Sequence, residues 1–396
     1  MTYDFTSFID RKGTGSHKWN LMYDQNPMVE EGVMPLSVAD MEFKNPPEIY
    51  QGLIDYLKDE PILGYTGPTE GYLQAVVNWQ EKRHNWAIKK DWIVPTPGVV
   101  SALNVAIRAF TEEKDGVIIF QPVYHPFENS IVGNNRTLVN VPLVEDDEEY
   151  TINFQLFEEE AAKTNNKLLI FCSPHNPVGR VWEKEELEQL TEIALKYDLT
   201  VVSDEVWYDF VREDKEHTVL HTVHPEIQDR LITCTAASKT FNLAGAATSN
   251  IIISDEEIRE KFNKEAQKSG VSGVNILGFE ATRIAYTKCE EWLEELNDMI
   301  YENQQMVKEF FEENYPKIKA PVSEGTYVQW IDFRSLGMSD EALDSLLHKN
   351  QFFANPGYVF GEEGSGFQRI NVALPKNILK EALERLLKAL LKSEES

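Results

Sequence analysis

Between residues 92 and 253 the chain repeats one pattern. Short apolar runs alternate with longer amphipathic stretches. The runs Val117–Phe120, Thr137–Val141, Leu168–Cys172, Thr200–Ser203, Leu231–Cys234 and Asn250–Ile253 read as strands, preceded by a short one at Trp92–Val94. Most are continuous rather than alternating, as expected of strands buried on both faces. Between two of them, Glu183–Tyr197 places Leu187, Leu190, Ile193, Ala194 and Tyr197 on one helical face. Repeated strand–helix–strand units predict an α/β fold with a mainly parallel central sheet covered by helices on both sides. Helices are also predicted over Ile49–Lys58 and Thr69–Arg83, and from Ala102 to Phe110.

The flanks differ. Residues 1 to about 36 lack periodicity and read as an irregular arm. After residue 285 come a charged helix (Glu290–Tyr315), an alternating strand (Tyr327–Phe333) and a helix (Ser339–Lys349). A glycine-rich loop, a strand (Phe367–Val372) and a terminal helix follow. The expected organisation is an arm with part of a small domain at 1–47, a large domain at 48–285 and a smaller α+β domain at 286–396.

One stretch stands out within the repeat. Thr235-Ala-Ala-Ser-Lys-Thr-Phe-Asn-Leu-Ala-Gly245 follows the run Leu231–Cys234. Lys239 thus sits just past a strand end among small and apolar residues. A lysine held there loses hydration, and its pKa falls toward the range where the free amine is nucleophilic. Such an amine suits Schiff-base chemistry with a carbonyl cofactor such as pyridoxal phosphate. Taken alone, Ser-Lys also fits a surface lysine after a turn serine.

The other strand ends bear on that choice, because ligands of open parallel sheets bind beyond the carboxyl ends of the strands. Asp204 follows one strand, Asn176 another and Tyr124 a third, while Gly98-Val99-Val100 opens a helix after Trp92–Val94. Asp204 suits a pyridinium nitrogen and Asn176 a phenolic oxygen. Tyr124 offers a ring to stack on the pyridine. Free N–H groups at Gly98–Val100 suit a phosphate at a helix N-terminus. Singly, these residues also serve as a helix cap, a turn former, a core ring and punctuation. Jointly, at successive strand ends with Lys239, they point to pyridoxal phosphate.

Charge and cysteines narrow the class. A formal net charge of −28 argues against nucleic acid or an anionic membrane as partner. Three cysteines, Cys172, Cys234 and Cys289, suggest no disulfide framework and favour a reducing, cytoplasmic location. His217, His221 and His224 have helical spacing and mimic a metal site. The stretch looks exposed, Pro225 breaks it and no acidic base lies in register, so no metal is expected.

The chain resembles fold-type-I pyridoxal-phosphate enzymes of the aminotransferase class I/II superfamily. Within that group it is most similar to C–S lyases of the MalY–PatB type, the cystathionine β-lyases. The resemblance covers nearly the whole chain. It rests on Val38-Ala-Asp-Met-Glu-Phe43, Tyr65-Thr-Gly, Pro97-Gly-Val-Val100, Pro122-Val-Tyr-His-Pro126, Pro174-His-Asn-Pro-Val-Gly-Arg-Val-Trp182, Ser203-Asp-Glu205, Ser238-Lys-Thr-Phe-Asn242 and Phe367-Gln-Arg-Ile-Asn371.

The resemblance implies that Arg369 grips a substrate α-carboxylate, helped by Asn176 and Ala39. It implies that Ser238 and Trp207 contact the cofactor. It also implies a homodimer, with Tyr65 reaching the neighbouring subunit's phosphate. The implied reaction is α,β-elimination of a sulfur-containing amino acid to pyruvate, ammonia and a thiol. A class I/II aminotransferase is the alternative, and a non-enzymatic protein that kept the fold is a third. Three positions depart from common patterns. Trp207 stands where the lyases usually carry histidine, and Ser37 and Glu42 replace a tryptophan and an aspartate, differences expected to bear on the shape of the substrate pocket. Ala247 stands where many aminotransferases place a phosphate-binding arginine, which agrees with the lyase branch.

Overall fold

The apolar runs form the predicted sheet. The computed structural model describes residues 2–60, 62–271 and 273–394; Met1, Pro61, Ser272, Glu395 and Ser396 lie outside the described residues. The chain opens with helices α1 (His17–Gln25), α2 (Pro47–Asp59) and α3 (Glu70–His84). Strands and helices then alternate: β1 (Ile93–Thr96), α4 (Val99–Phe110), β2 (Gly116–Ile119), α5 (Pro126–Gly133) and β3 (Thr137–Asn140). A hairpin of β4 (Val144–Asp146) and β5 (Glu149–Thr151) precedes α6 (Phe154–Ala161), β6 (Asn166–Cys172), α7 (Lys184–Lys196) and β7 (Thr200–Asp204). Next come β8 (Leu231–Thr235), the single turn α8 (Ala237–Thr240), β9 (Ser249–Ile252), α9 (Glu256–Lys268) and α10 (Ile276–Lys288). The last part contains α11 (Glu290–Asn314), β10 (Val328–Asp332), α12 (Asp340–Lys349), β11 (Asn355–Pro356), β12 (Phe367–Asn371) and α13 (Lys376–Glu394).

The central sheet has seven strands in the order β1-β9-β8-β7-β6-β2-β3. Its pairs are parallel except those made by β9, which runs antiparallel to both β1 and β8. Each central strand splits its side chains between two cores. Leu169, Phe171, Val201 and Leu231 face the layer that includes Phe157, Leu187 and Leu190. Leu168, Ile170, Val202, Ile232 and Cys234 face the layer that includes Leu103, Ile107 and Phe262. That two-sided burial is why the runs are continuous in sequence.

Local chemistry sets the helix ends. Thr69 caps α3 by accepting from the Tyr72 N–H, and Asp255 caps α9 through the Ile258 N–H. Glu183 and Glu186 form a reciprocal capping box at the start of α7. Gly98 precedes α4 at φ +110°, a conformation that L side chains rarely adopt.

Three expectations need correction. The arm is not wholly irregular, because residues 17–25 form α1. Lys18 lies on the buried side of α1, which hides the helical pattern. The histidine stretch is not a helix. It passes through short 3₁₀ turns, and His221 is buried rather than exposed. Ser37 and Glu42 are both buried away from the cleft described below, with Glu42 turned into an ion cluster.

The N-terminal segment joins the C-terminal sheet. That sheet has the order β10-β12-β11. The Leu36 N–H donates to the Phe353 carbonyl, the Asn371 N–H to the Leu36 carbonyl and the Glu42 N–H to the Ala373 carbonyl. The Glu42 carboxylate then receives Arg11 at 3.0 Å, Lys18 at 3.1 Å and the Trp19 indole N–H at 3.0 Å. Lys18 and Glu42 are both fully enclosed, so each charge depends on the other. Glu42→Ala leaves the Lys18 ammonium buried with Asp40 at 3.5 Å as its remaining carboxylate. We expect a stability loss near the lower end of about 3–5 kcal/mol, read by denaturant unfolding. A loss under about 1 kcal/mol, the range of an exposed pair, would show that the cluster is not dry.

Candidate active site

The carboxyl ends of β2, β6, β7 and β8 lie side by side in the sheet, and the turn after β1 approaches from the same end. They open into a cleft of about 1200 Å³. Gly98, Val99, Val100, Tyr124, Asn176, Asp204, Trp207, Ser238, Lys239 and Arg369 line it, as does Ala39 from the N-terminal segment. The residues read at separate strand ends thus share one cavity. Tyr65 does not join them. It lies fully exposed on the loop before α3.

Lys239 sits on α8, one turn beyond β8. Its Nζ donates to the Ala39 carbonyl at 2.7 Å and lies 5.3 Å from the Trp207 ring. The Tyr327 hydroxyl donates to the same carbonyl at 2.8 Å. Burial pushes the lysine pKa down to about 8. Arg369 adds to the effect, while Asp40 and Asp204 oppose it. A substantial neutral fraction therefore exists near pH 8.

Asp204 ends β7 and is buried. Burial raises its pKa to about 7, against the Val206 N–H, which it accepts at 3.3 Å, and against Lys239. A cationic N–H partner in the cleft would restore its ordinary acidity. Arg369 is buried on β12, and burial pushes it down to about 10. Its Nη1 donates to Asn176 Oδ1 at 3.0 Å and its Nη2 to Asn355 Oδ1 at 2.7 Å, while its buried Nε has no partner. Because Asn176 Oδ1 accepts from a guanidinium, its oxygen is fixed and its amide N–H groups remain for a ligand. At α4, the N–H groups of the first turn lack intrahelical acceptors and form an anion seat. The cleft thus offers a nucleophilic amine, an anion seat, a buried carboxylate and a guanidinium fork. That set fits a phosphorylated pyridine aldehyde together with an amino acid.

The chain matches the family described as "Aminotransferase class I and II" over residues 31–386. It belongs to that family. The chain is 37% identical to cystathionine beta-lyase PatB of Bacillus subtilis, over 98% of this chain and 100% of the relative. Among solved structures it is similar to cystalysin from Treponema denticola, which contains a pyridoxal 5′-phosphate cofactor. The TM-score is 0.97, with 51% identity over 99% of this chain and 100% of that one. The pyridoxal-phosphate-bound C–S lyase of Staphylococcus hominis superposes with a TM-score of 0.91, at 30% identity over 99% of both chains.

In this class I/II family member, sequence reasoning missed several cleft residues. Asn355 lay in a stretch read only as a glycine-rich loop, although Asn355-Pro356-Gly357 signals a turn beside a strand. His17, Leu21 and Gln25 enter from the unpredicted α1. Tyr327 reads as the first residue of a strand, and nothing marks its hydroxyl. The histidines are dispersed. His217 pairs with Glu205 at 2.8 Å, and His221 bonds to Trp86 and Ser254. Among the described residues no cluster of His, Cys, Asp and Glu could hold a metal ion.

An amine-reactive reagent should label Lys239 of the cofactor-free protein with a midpoint near pH 8, against 10.5 for an open lysine. Asp204→Asn removes a charge that raises this pKa, so the midpoint should fall below that of the wild type. The unfolded chain holds the extra proton between pH 8 and 10.5, so the burial penalty is complete below 8 and lifts as pH rises toward 10.5. A labelling midpoint above 10 would contradict the burial argument.

Proposed function

We propose that this chain is a pyridoxal-phosphate-dependent C–S lyase that eliminates a thiol from a β-substituted sulfur amino acid, leaving pyruvate and ammonia. One observation carries the reading. Lys239 is held, with its pKa lowered to about 8, against the Ala39 carbonyl in a cleft that also holds Asp204 and Arg369. The relatives named as cystathionine β-lyases support a thioether substrate.

Pyridoxal phosphate, when bound, supplies an electron sink conjugated to the substrate α-carbon. The first-turn N–H groups of α4 and the Ser238 hydroxyl would take its phosphate. Asn176 would donate to its phenolic oxygen, Tyr124 would stack on its ring, and Asp204 would keep its ring nitrogen protonated. Arg369 takes the substrate carboxylate as a fork, with Ala39 beside it. Lys239 Nζ accepts the proton from the α-carbon and, once charged, can give it to the departing sulfur. The Trp207 ring lies 5.3 Å from the amine, and the Tyr327 hydroxyl shares its Ala39 acceptor. The atoms balance as thioether amino acid plus water giving thiol, pyruvate and ammonia.

Surface chemistry supports a homodimer. Tyr50, Ile54 and Leu57 form an exposed apolar stripe on α2, continued by Ile62, Leu63 and Tyr65 on the following loop. A second copy would cover that surface and bring Tyr65 to its phosphate. The three cysteines are free and buried, which agrees with a cytoplasmic setting. Among the described residues no helix is long and apolar enough to cross a membrane. The backbone contacts of residues 36–42 support joining 1–47 to the small domain. The other boundary fits the α10–α11 junction at Cys289 better than position 285, which lies inside α10.

The deciding assay supplies L-cystathionine with and without a keto acid. Acceptor-independent release of pyruvate, ammonia and thiol is expected. Turnover that stops after one equivalent and resumes on adding a keto acid would make the protein an aminotransferase. Tyr65→Phe should weaken pyridoxal phosphate retention by up to about a hundredfold, the upper range of one hydrogen bond to a charged group. Equilibrium dialysis of the dimer reads this, and a fully active monomer would contradict the shared site.

A further inference from the structure

Asn355 occupies a position that none of the cofactor or carboxylate roles above requires. It lies in β11, directly opposite Arg369 of β12 in the antiparallel register. Its Oδ1 accepts two bonds, one from Arg369 Nη2 at 2.7 Å and one from the Val38 N–H at 2.8 Å. Both partners are obligate donors, so the atom between them must be the oxygen. Val38 has φ +48°, in the left-handed region, and begins the turn that presents the Ala39 carbonyl to Lys239. Asn371 Nδ2 clamps the carbonyls on either side of that turn, Val38 at 2.9 Å and Asp40 at 2.6 Å. One amide oxygen therefore ties the arginine to the turn that seats the lysine.

The consequence for Arg369 is geometric. A guanidinium rotates about a long flexible stem, and a carboxylate fork needs its plane fixed. Asn176 fixes one Nη and Asn355 the other. Each Nη keeps a second N–H, and the buried Nε–H has no partner. Both amides are neutral, so they orient the guanidinium without cancelling the charge that attracts an anion. An aspartate at 355 would make the same contacts but neutralise it.

Resting on the amino-acid-lyase reading, we propose that Asn355 is a positioning residue that sets the Arg369 fork for the substrate carboxylate and locks it to the Val38–Asp40 turn. It acts through Arg369 and touches no reacting atom. Its contribution belongs to substrates with a free α-carboxylate and is absent for those without one.

The test compares L-alanine with L-alaninamide, which has the same amine and methyl group and no carboxylate. Neither carries a β-leaving group, so binding to the cofactor-loaded protein can be followed by absorbance. In Asn355→Ala, the dissociation constant for L-alanine should rise about ten- to a hundredfold, the range of one charge-assisted hydrogen bond. That for L-alaninamide should change less than about twofold. In an Arg369→Ala background, Asn355→Ala should add no further loss for L-alanine. Asn355→Asp should keep the fold and still lose L-alanine affinity, which a purely structural role does not explain. If Asn355→Ala does not fold, the aspartate variant carries the same comparison. Equal loss for both ligands, no loss for either, or full additivity with Arg369→Ala would overturn the proposal. A wild-type protein whose absorbance ignores L-alanine would remove the amino-acid reading itself, and the proposal with it.

Discussion

The Ala39 carbonyl is where the parts of this protein meet. It accepts Lys239 from the large sheet's α8 and Tyr327 from the segment leading into β10. The turn that carries it is held from three sides. Asn355 and Asn371 grip it from the small sheet, and Lys18 of α1 donates to the Asp40 carbonyl at 2.9 Å. A buried ammonium without an acceptor would be too costly to keep charged. The carbonyl gives the Lys239 amine an acceptor, while burial and Arg369, opposed by Asp40 and Asp204, bring its pKa down to about 8, a value suited to the proposed nucleophile and proton carrier.

The same physics explains how a strongly acidic chain handles anions. The net charge is −28, yet the cleft holds two cations, the half-buried Lys239 and the buried Arg369, and a helix N-terminus. Burial lowers the pKa of both, and Arg369 lowers that of Lys239 further, so an entering phosphate or carboxylate relieves repulsion as well as gaining hydrogen bonds. Asp204 is the opposite case, a carboxylate raised by burial that gains most from a cationic partner. The site is therefore under electrostatic tension that its proposed ligands release.

Much of this was legible in the sequence, for a specific reason. Continuous apolar runs report burial on both faces, and the residues just after them must lie at one end of a parallel sheet. Lys239, Asp204, Asn176, Tyr124 and Gly98 were found by that logic, and the structure gathers them in one cleft. Strand direction is not encoded in such runs, so the antiparallel β9 was invisible. Lys18 defeated the reading of α1 because periodicity assumes that buried residues are apolar. The Ala39 carbonyl carries no side-chain signal at all. Arg369 came from resemblance alone, since a strand arginine has no distinguishing spacing. The histidines show how little spacing alone decides. Their helical spacing falls on 3₁₀ turns broken at Pro225, and each ring meets a different partner.

The central claim is that Lys239 is the covalent anchor of the cofactor. Reduction of the pyridoxal-phosphate-loaded protein with borohydride, followed by peptide mass mapping, tests it most directly. One stable pyridoxyl-phosphate adduct per chain is expected, on the peptide containing Ser238-Lys239-Thr240. An adduct on another lysine, or none on a protein that retains its colour, would contradict it.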